Sequence, residues 1–395
     1  MRLCEDGHPD NPLMIQFFTW DCKHPEMSWW QFFESEVPNL QRMGITQVWL
    51  PPPNKAMKKW DLGEFEQKAA VATRWGSKEE LVQAIGVART HGIDVLIDAV
   101  LNHKLGADRV ETFKAEPVDP NNRTKTVGPA REIEVEAESQ MKWTHEHFTG
   151  VDWDHRTKTK GIYRIVSDKH KGWSLFVDKE FGNYDYLLGI DIDHRHPEVR
   201  KDLLAWSAWV LQTTGAMGFR LDAIKHMDRR FLLAFLKTAR QVHGRDNMFA
   251  VAEYWSGDVS RVRPFVKAFE GLLTFFDVPL HYNLHNASKA GSKYDLRTIF
   301  DGTLVQIRPG DAITFVDNHE CVFYGDLYPN DECYEEPIAA GLKLVIEARK
   351  KFAYGTQRDY FQERNCIGFV REGDETHDGC AVLLSNADRG TGYWF

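Results

Sequence analysis

Short apolar runs alternate with amphipathic helical segments along most of this chain, and this alternation restricts the fold more than any other feature. The first runs are MIQFF (14–18), TQVWLPP (46–52) and DVLIDAVLNH (94–103), and further runs follow at 215–224, 248–255, 272–278 and 312–318. Strands separated by helices imply a parallel sheet covered on both faces. Seven or eight such units predict an α/β fold, a (β/α)8 TIM barrel.

Helix boundaries can be located between these runs. Ser77 is a predicted N-cap, and Glu80 completes a capping box. Pro197 predicts the first turn of a second helix, which closes near Gly215. We expect further helices around 229–242, 258–269 and 294–301, and a last one over 336–355.

The alternation is interrupted once and ends before the C-terminus. Residues 104–187 are polar and irregular, which predicts an inserted, irregular β-rich subdomain after the third strand. Two strand-like runs, 366–373 and 380–386, predict a remnant C-terminal antiparallel β domain that stops after two strands. The predicted domains are 1–103 (barrel, strands 1–3), 104–187 (insertion), 188–355 (barrel, strands 4–8) and 356–395 (truncated β domain).

Charge and cysteine content restrict the environment and the partners. The formal charge of -9 provides no basic surface for nucleic acid or for an anionic membrane. The six cysteines are scattered without metal-type spacing, and we expect most to be free thiols. No basic leader precedes an apolar run at the start, and no apolar stretch is long enough to span a membrane. We therefore expect a cytoplasmic monomer.

Polar side chains cluster where the predicted third, fourth and fifth strands end, the edge at which a barrel of this kind places its chemistry. Two carboxylates from adjacent strands, Asp222 and Glu253, can face one bond there. In retaining glycosidases such carboxyl groups lie roughly 5 Å apart. Asp222 would attack the anomeric carbon, Glu253 would protonate the leaving oxygen, and Arg220 would hold Asp222 ionised.

Taken singly, each of these motifs has a purely structural interpretation. An Asp that follows an Arg in a strand is more often part of a structural ion pair. The tetrapeptide AEYW (252–255) is short enough to arise by chance, and His103 can simply cap a strand end. The order and spacing of the motifs together are far more specific.

Four motifs carry a resemblance to a known family: DAVLNH (98–103), GFRLDAIKH (218–226), AEYW (252–255) and FVDNHE (315–320). From about residue 14 onward the chain resembles α-amylases of glycoside hydrolase family 13, in the subfamily of bacterial liquefying and intracellular fungal enzymes. The resemblance implies hydrolysis of α-1,4-glucans (starch, glycogen and maltooligosaccharides) by a retaining double displacement.

The resemblance also implies roles for individual residues. The nucleophile would be Asp222, the acid/base Glu253, and a third carboxylate Glu320. The implied substrate-binding residues are His103, Arg220, Lys225, His226 and His319. A structural Ca²⁺ between barrel and insertion is implied at Asn102, Asp185, Asp191 and the backbone carbonyl of His226, all of which offer the oxygen donors that this ion requires.

The chain departs from that family between its seventh and eighth strands. The segments VDNHE (316–320) and CVFYGD (321–326) resemble these two strands, but the long helix that joins them in the family is absent. Parallel neighbours need a crossover of about a dozen residues. We therefore expect an incomplete barrel in which one of the two strands is displaced, reversed or left outside.

Other departures lie around the implied site. Glu320 replaces the family's Asp, and an error of about 1 Å in such a group can cost roughly a hundredfold in rate. The stretch PPPNKAMKKWDLGEFE (51–66) stands where the family inserts a Tyr-bearing loop, with Trp60 as a possible substitute, and the insertion is shortened near 131–148. Two alternatives therefore stay open: a catalytically impaired homologue that binds glucan or a partner, and a 4-α-glucanotransferase.

Overall fold

A computed structural model describes residues 11–53, 73–105, 109–137, 143–166, 172–243, 248–316 and 322–387. Its main sheet has eight strands, all of which pair in parallel. We number them barrel strands 1 to 8: Met14–Gln16, Gln47–Leu50, Asp94–Ala99, Gly218–Leu221, Phe249–Ala252, Thr274–Phe276, Ala312–Ile313 and Val322–Phe323. Strand 8 pairs with strand 1, and strands 1 to 7 follow in chain order. This is the strand order of the predicted (β/α)8 barrel. Within the described residues strands 7 and 8 do not pair with each other, so the prediction of a barrel that is incomplete around these strands is confirmed.

The expectation that strand 7 or 8 would be displaced or reversed is wrong. Strand 7 ends at Ile313, well before the VDNHE segment, and strand 8 begins at Val322. Each strand has only two residues, so the eight residues between them, which span at most about 30 Å, suffice to reach the start of the next parallel strand. In the described part of the chain the sheet runs from strand 7 at one edge to strand 8 at the other.

Helices follow the strands at the predicted places, with one exception. The longer helices are Trp29–Met43, Lys78–Thr90, Pro197–Thr214, Arg229–His243, Val259–Ala268, Val278–Ala290 and Glu336–Phe352. The capping box of Ser77 and Glu80 is present, and Gly215 ends its helix in the left-handed conformation, with φ 74°.

The helix predicted over 294–301 is wrong, because that region holds only a 3₁₀ turn at Leu296–Thr298. The helix lies earlier, at Val278–Ala290. Asp277 caps its N-terminus by accepting a hydrogen bond from the Leu280 N–H (3.1 Å), and Pro279 occupies its first turn.

The insertion is an antiparallel sheet in which several strand pairs carry register shifts, so the prediction of an irregular, β-rich subdomain is confirmed. Its strands are His103–Lys104, Arg109–Asp119, Asn122–Thr126, Arg131–Ala137, Phe148–Asp154, Thr159–Ile165 and Ile190–Ile192. The first and last of these reach beyond 104–187 and lie beside the barrel. Buried apolar residues of the insertion, such as Phe113 and Ile133, belong to the same core cluster as the barrel.

The C-terminal sheet has three antiparallel strands, Gln357–Glu363, Cys366–Arg371 and Cys380–Ser385, and not the predicted two. The missed strand, QRDYFQE, is mostly exposed and carries few apolar residues, so it lacks the usual sequence signal. This sheet packs on helix Val278–Ala290 through a small cluster that includes Ile367, Phe361 and Leu280. None of the described helices combines the length and the apolar character needed to cross a membrane.

Candidate active site

The register of strands 3, 4 and 5 brings the predicted polar residues to one edge of the sheet. Arg220 lies opposite Asp98 on strand 3, and Leu221 lies opposite Ala252 on strand 5. Asp222 and Glu253 are therefore the next residues after paired positions, and both emerge at the carboxyl end of the sheet. Their side chains are partly exposed, at 19% and 20%. The two carboxyl groups thus share the mouth of the barrel.

One guanidinium connects all three acidic residues of this edge. Arg220 Nη1 donates to Asp222 Oδ1 at 2.7 Å and to Asp98 Oδ1 at 3.0 Å. Its Nη2 donates to Glu253 Oε2 at 2.7 Å. The face of the guanidinium lies 4.4 Å from the ring centroid of Trp49 on strand 2. Arg220 is therefore fixed by strands 2 to 5 and holds Asp222 and Glu253 on a single planar group.

The surroundings shift the pKa values of Asp222 and Glu253 in opposite directions. Burial raises the pKa of Glu253 to about 7, and the charge of Asp222 adds to this shift against the effect of Arg220. Burial also acts on Asp222, but the positive charges of Arg220 and His103 and the hydrogen bond from Glu253 outweigh it, so that the pKa of Asp222 is lowered. Near neutral pH the pair can therefore hold one ionised carboxylate and one proton, the division of roles that a nucleophile and a general acid need.

The backbone directly after Asp222 is strained, and its conformation points an N–H at the Glu253 carboxyl group. Ala223 adopts the left-handed conformation, with φ 46° and ψ 39°, which is costly for a residue with a Cβ. Its N–H donates to Glu253 Oε2 at 3.2 Å. The sharp turn after strand 4 therefore adds a second donor to the carboxyl group of Glu253.

The other predicted substrate-binding residues that the structure describes lie around this pair. Burial lowers the pKa of His103, whose charge in turn acts on Asp222. Lys225 donates to Glu180 Oε2 (3.0 Å) and to the Trp255 carbonyl (2.9 Å). His226 is buried with its Nδ1 2.7 Å from the Tyr184 carbonyl.

Burial lowers the pKa of His226 to about 3, so its ring is neutral at physiological pH. His319, Glu320 and Trp60 lie outside the described residues, and their predicted roles stay predictions.

A hydrogen-bonded group beside Glu253 was not anticipated from the sequence. The Tyr254 hydroxyl donates to Asp178, and Arg261 Nη1 donates to the same carboxylate at 3.2 Å. Asp178 and the neighbouring Glu180, which binds Lys225, both come from the polar end of the insertion. No motif signals this group, because its members are far apart in the sequence and have no characteristic spacing.

Three of the predicted calcium ligands, Asn102, Asp185 and Asp191, also lie close together. The Asn102 amide Nδ2 lies 3.3 Å from Asp191 Oδ1, while Asn102 Oδ1 is buried and finds no hydrogen-bond partner among the described residues. Burial raises the pKa of Asp185 to about 7. Burial and the charge of Asp185 raise the pKa of Asp191 well above its usual range. A buried oxygen without a donor next to two mutually repelling carboxyl groups is the donor set of a hard cation.

Comparisons with known proteins agree with this geometry. Residues 30–321 match the family model described as the alpha amylase catalytic domain. The chain is 37% identical to a glucan 1,4-alpha-maltohexaosidase of Bacillus sp. (strain 707), over 98% of this chain and 84% of that protein. It is 34% identical to the cytoplasmic alpha-amylase of Escherichia coli K12, over 96% of this chain and 89% of that one.

Among solved structures, an alpha-amylase from Anoxybacillus superposes with a TM-score of 0.62 at 17% identity, covering 96% of this chain and 87% of the other. The chain therefore belongs to the alpha-amylase family of glycoside hydrolases. The first alignment extends over 438 positions against a chain of 395 residues, so that relative carries segments that this chain lacks.

Proposed function

We propose that this protein hydrolyses α-1,4-glucosidic bonds with net retention at the anomeric carbon, with Asp222 as nucleophile and Glu253 as acid/base. The observation that carries the proposal is the joint attachment of these two carboxyl groups to Arg220, with their pKa values shifted apart. An inverting enzyme would need a wider gap that leaves room for a water molecule.

Both chemical steps can be written with these two groups. First, an Asp222 carboxylate oxygen bonds to the anomeric carbon while the bond to the glycosidic oxygen breaks, and Glu253 transfers its proton to that leaving oxygen. Then the Glu253 carboxylate takes a proton from water as the water oxygen bonds to the anomeric carbon, which releases Asp222. Glu253 ends protonated and Asp222 ionised, as both began.

The surrounding residues would orient the sugar on either side of this bond. Lys225 and His226 lie on the turn that follows Asp222, which favours roles at the leaving-group side. His103 follows strand 3 and can donate to the sugar held at Asp222. For Glu320 and His319 the proposal rests on the FVDNHE motif alone.

The nucleophile assignment can be tested with Asp222→Asn, which keeps the shape and removes the charge. We expect maltooligosaccharide hydrolysis to fall by at least about 10³-fold, because removal of a nucleophile abolishes the first step. A reducing-sugar assay measures this. Asp258→Asn is the matched control, because Asp258 is an exposed helix N-cap whose role asparagine preserves, and it should leave the rate unchanged. Equal activity in both variants would remove the assignment.

The two alternatives give different results with the wild-type chain. The short connection between strands 7 and 8 contains the residues of the fourth motif, which favours testing for impaired catalysis. Calorimetry that shows maltooligosaccharide binding without any turnover would support the impaired homologue. Chromatography that shows longer oligosaccharides instead of new reducing ends would support a glucanotransferase, in which a sugar hydroxyl replaces water in the second step.

We further propose that Asn102, Asp185, Asp191 and the His226 carbonyl hold a structural Ca²⁺, which would neutralise the two carboxylates and join the insertion to the barrel. The support is the buried Asn102 oxygen together with the raised pKa values of both aspartates. Calorimetry on chelator-treated protein should show one Ca²⁺ per chain and a rise in melting temperature. Absence of both effects would contradict the proposal.

A cytoplasmic monomer is also proposed. The similarity to a cytoplasmic alpha-amylase supports the compartment, as do the thiols of Cys22, Cys333, Cys366 and Cys380, none of which forms a disulfide within the described residues. Cell fractionation and light scattering on the purified chain would test the two statements separately.

A further inference from the structure

Two histidines and a glutamate converge where the insertion meets the barrel. His147 ends a 3₁₀ turn directly before the insertion strand Phe148–Asp154, while His196 and Glu198 begin helix Pro197–Thr214. Each side chain offers a ligand atom, and these atoms all lie within 4.8 Å of one another. The two imidazole centroids are 4.4 Å apart. We call His147, His196 and Glu198 the junction triad.

The burial of the junction triad suits a bound ion. Both histidines are buried, with 5% and 4% of their surface exposed, whereas the Glu198 side chain is 73% exposed. The imidazoles are thus positioned by packing, and the carboxylate reaches them from the solvent side, with Glu198 Oε2 at 2.9 Å from His147 Nε2. The exposed side of Glu198 also provides an entry path and room for water as a fourth ligand.

The protonation of His147 can adapt to a metal. In the metal-free arrangement the Thr144 N–H donates to His147 Nδ1 at 2.9 Å, so Nε2 carries the proton and donates to Glu198 Oε2 at 2.9 Å. The Thr144 carbonyl also lies 3.2 Å from Nδ1. Coordination through Nε2 requires the other tautomer, in which Nδ1–H donates to that carbonyl and the Thr144 N–H gives up its acceptor on the ring. A backbone carbonyl behind the ring is the usual support of a metal-bound histidine.

We propose that the junction triad binds a zinc-type divalent cation, at a site separate from the calcium ligands. Imidazole nitrogen is a ligand for Zn²⁺ and its transition-metal neighbours, whereas Ca²⁺ prefers oxygen. Among the described residues this is the one group of three histidine, cysteine or acidic side chains with ligand atoms this close. Bound there, the ion would tie the insertion to the first turn of a barrel helix.

The ion would strengthen a contact that already exists. The Asp193 N–H donates to the His147 carbonyl at 2.9 Å, and Trp143 Nε1 donates to Asp202 Oδ2 at 3.1 Å, so helix and insertion are already joined on both sides of the triad. Ligand bonds of about 2.0–2.1 Å separate tetrahedral ligand atoms by about 3.4 Å. Ligand atoms at the 4.8 Å limit must therefore approach by about 1.4 Å, whereas His147 Nε2 and Glu198 Oε2, which are 2.9 Å apart, must separate slightly. The exposed Glu198 side chain can make this movement.

The test is a Zn²⁺ titration of the full chain, prepared without a histidine tag and with Ca²⁺ in excess so that oxygen-donor sites are filled. We expect one Zn²⁺ per chain, a higher melting temperature, and with Co²⁺ the visible absorption of a four-coordinate ion. Glu198→Gln should weaken Zn²⁺ binding by at least about tenfold, since even the loss of a group behind a ligand costs 10–100-fold. His147→Asn should abolish it.

A matched control is available in the insertion. His145 forms a similar pair with Glu111, at 3.4 Å, but is not part of the triad, so His145→Asn should leave Zn²⁺ affinity unchanged. If His147→Asn does not fold, Glu198→Gln still tests the proposal, because the Glu198 side chain is exposed and its replacement should leave the fold intact. No Zn²⁺ binding, full affinity in Glu198→Gln, or displacement of Zn²⁺ by Ca²⁺ would each overturn the proposal.

Discussion

Two groups of carboxyl groups lie close together in this molecule and are balanced in different ways. At the barrel mouth Asp98, Asp222 and Glu253 share the guanidinium of Arg220. In the second group, the buried Asp185 and Asp191 repel each other, and the nearby guanidinium of Arg195 is bound to Asp193 instead. The first group thus contains its own cation, whereas for the second we propose a Ca²⁺ ion from solution.

The difference shows in the protonation of each group. Arg220 keeps the pKa of Asp222 low even though burial opposes it. In the second group, burial raises the pKa of Asp185 to about 7, although the charge of Arg195 opposes the shift. A catalytic group requires a charge that is always present, while a structural site can be completed by an ion. Four predictions test this distinction.

The largest effect is expected for Arg220→Met, which leaves three carboxyl groups without their cation. Loss of one partner of a buried ionic group costs about 3–5 kcal/mol in the free energy of unfolding. Denaturant unfolding at pH 8, with Ca²⁺ in excess, measures it. Arg358→Met is the control, because Arg358 and its partner Glu372 are 64% and 38% exposed, and such a surface pair contributes at most about 1 kcal/mol. Similar losses in both variants would contradict the comparison.

A smaller effect is expected for Asp191→Asn, whose melting temperature should differ from that of the wild type in opposite directions with and without Ca²⁺. Asparagine keeps an oxygen for the Thr149 hydroxyl but removes one of the repelling charges. In chelator the variant should melt above the wild type. In excess Ca²⁺ it should melt below, because the wild type gains about 4 kcal/mol at a thousandfold excess over Kd and the variant loses a ligand. If the order of the two melting temperatures is the same in chelator and in Ca²⁺, the result would argue against a cation at Asp185 and Asp191.

The pH dependence of the same group follows from the raised pKa of Asp185. The folded, metal-free state binds more protons than the unfolded state between the usual carboxyl pKa and about 7, so its stability falls as the pH rises through this window. Saturating Ca²⁺ should remove that loss.

The smallest effect concerns Glu253, the proposed general acid, whose pKa is raised to about 7. A general acid must be protonated, so we expect kcat/KM to fall roughly tenfold per pH unit above that value. The acid limb should lie at lower pH than an ordinary aspartate would give, because the pKa of Asp222 is lowered. In Glu253→Gln the residual rate on an activated aryl glycoside should lack the alkaline limb. A retained limb would assign it to another group.

Much of the fold was predictable because the barrel repeats one simple pattern. Runs such as 94–103 and 248–255 lie between helices with clear caps, including Ser77 and the Pro197 turn. The strand Gln357–Glu363 was missed because it is mostly exposed and therefore lacks an apolar pattern. The helix predicted over 294–301 was misplaced because the helix of this region begins earlier, at the N-cap Asp277. The sequence predicted a longer strand 7 than the structure shows, because Phe315 and Val316 continue the apolar run but do not pair in the sheet.

The candidate site was only partly predictable. The four motifs placed Asp222, Glu253 and Arg220 at one edge, because residues at parallel strand ends must meet there. The contacts of Tyr254 with Asp178 and the junction triad depend on how the insertion folds back onto the barrel, which no local pattern records.

The pairing of strands 1 and 8 has a consequence for synthesis on the ribosome. Ile15 pairs with Val322, so the first strand of the sheet waits for a segment made about 300 residues later. Contacts this distant in sequence are slow to form, and until then one edge of strand 1 offers unsatisfied backbone groups to other chains. Chaperone dependence and aggregation of nascent chains should therefore persist until translation passes residue 323.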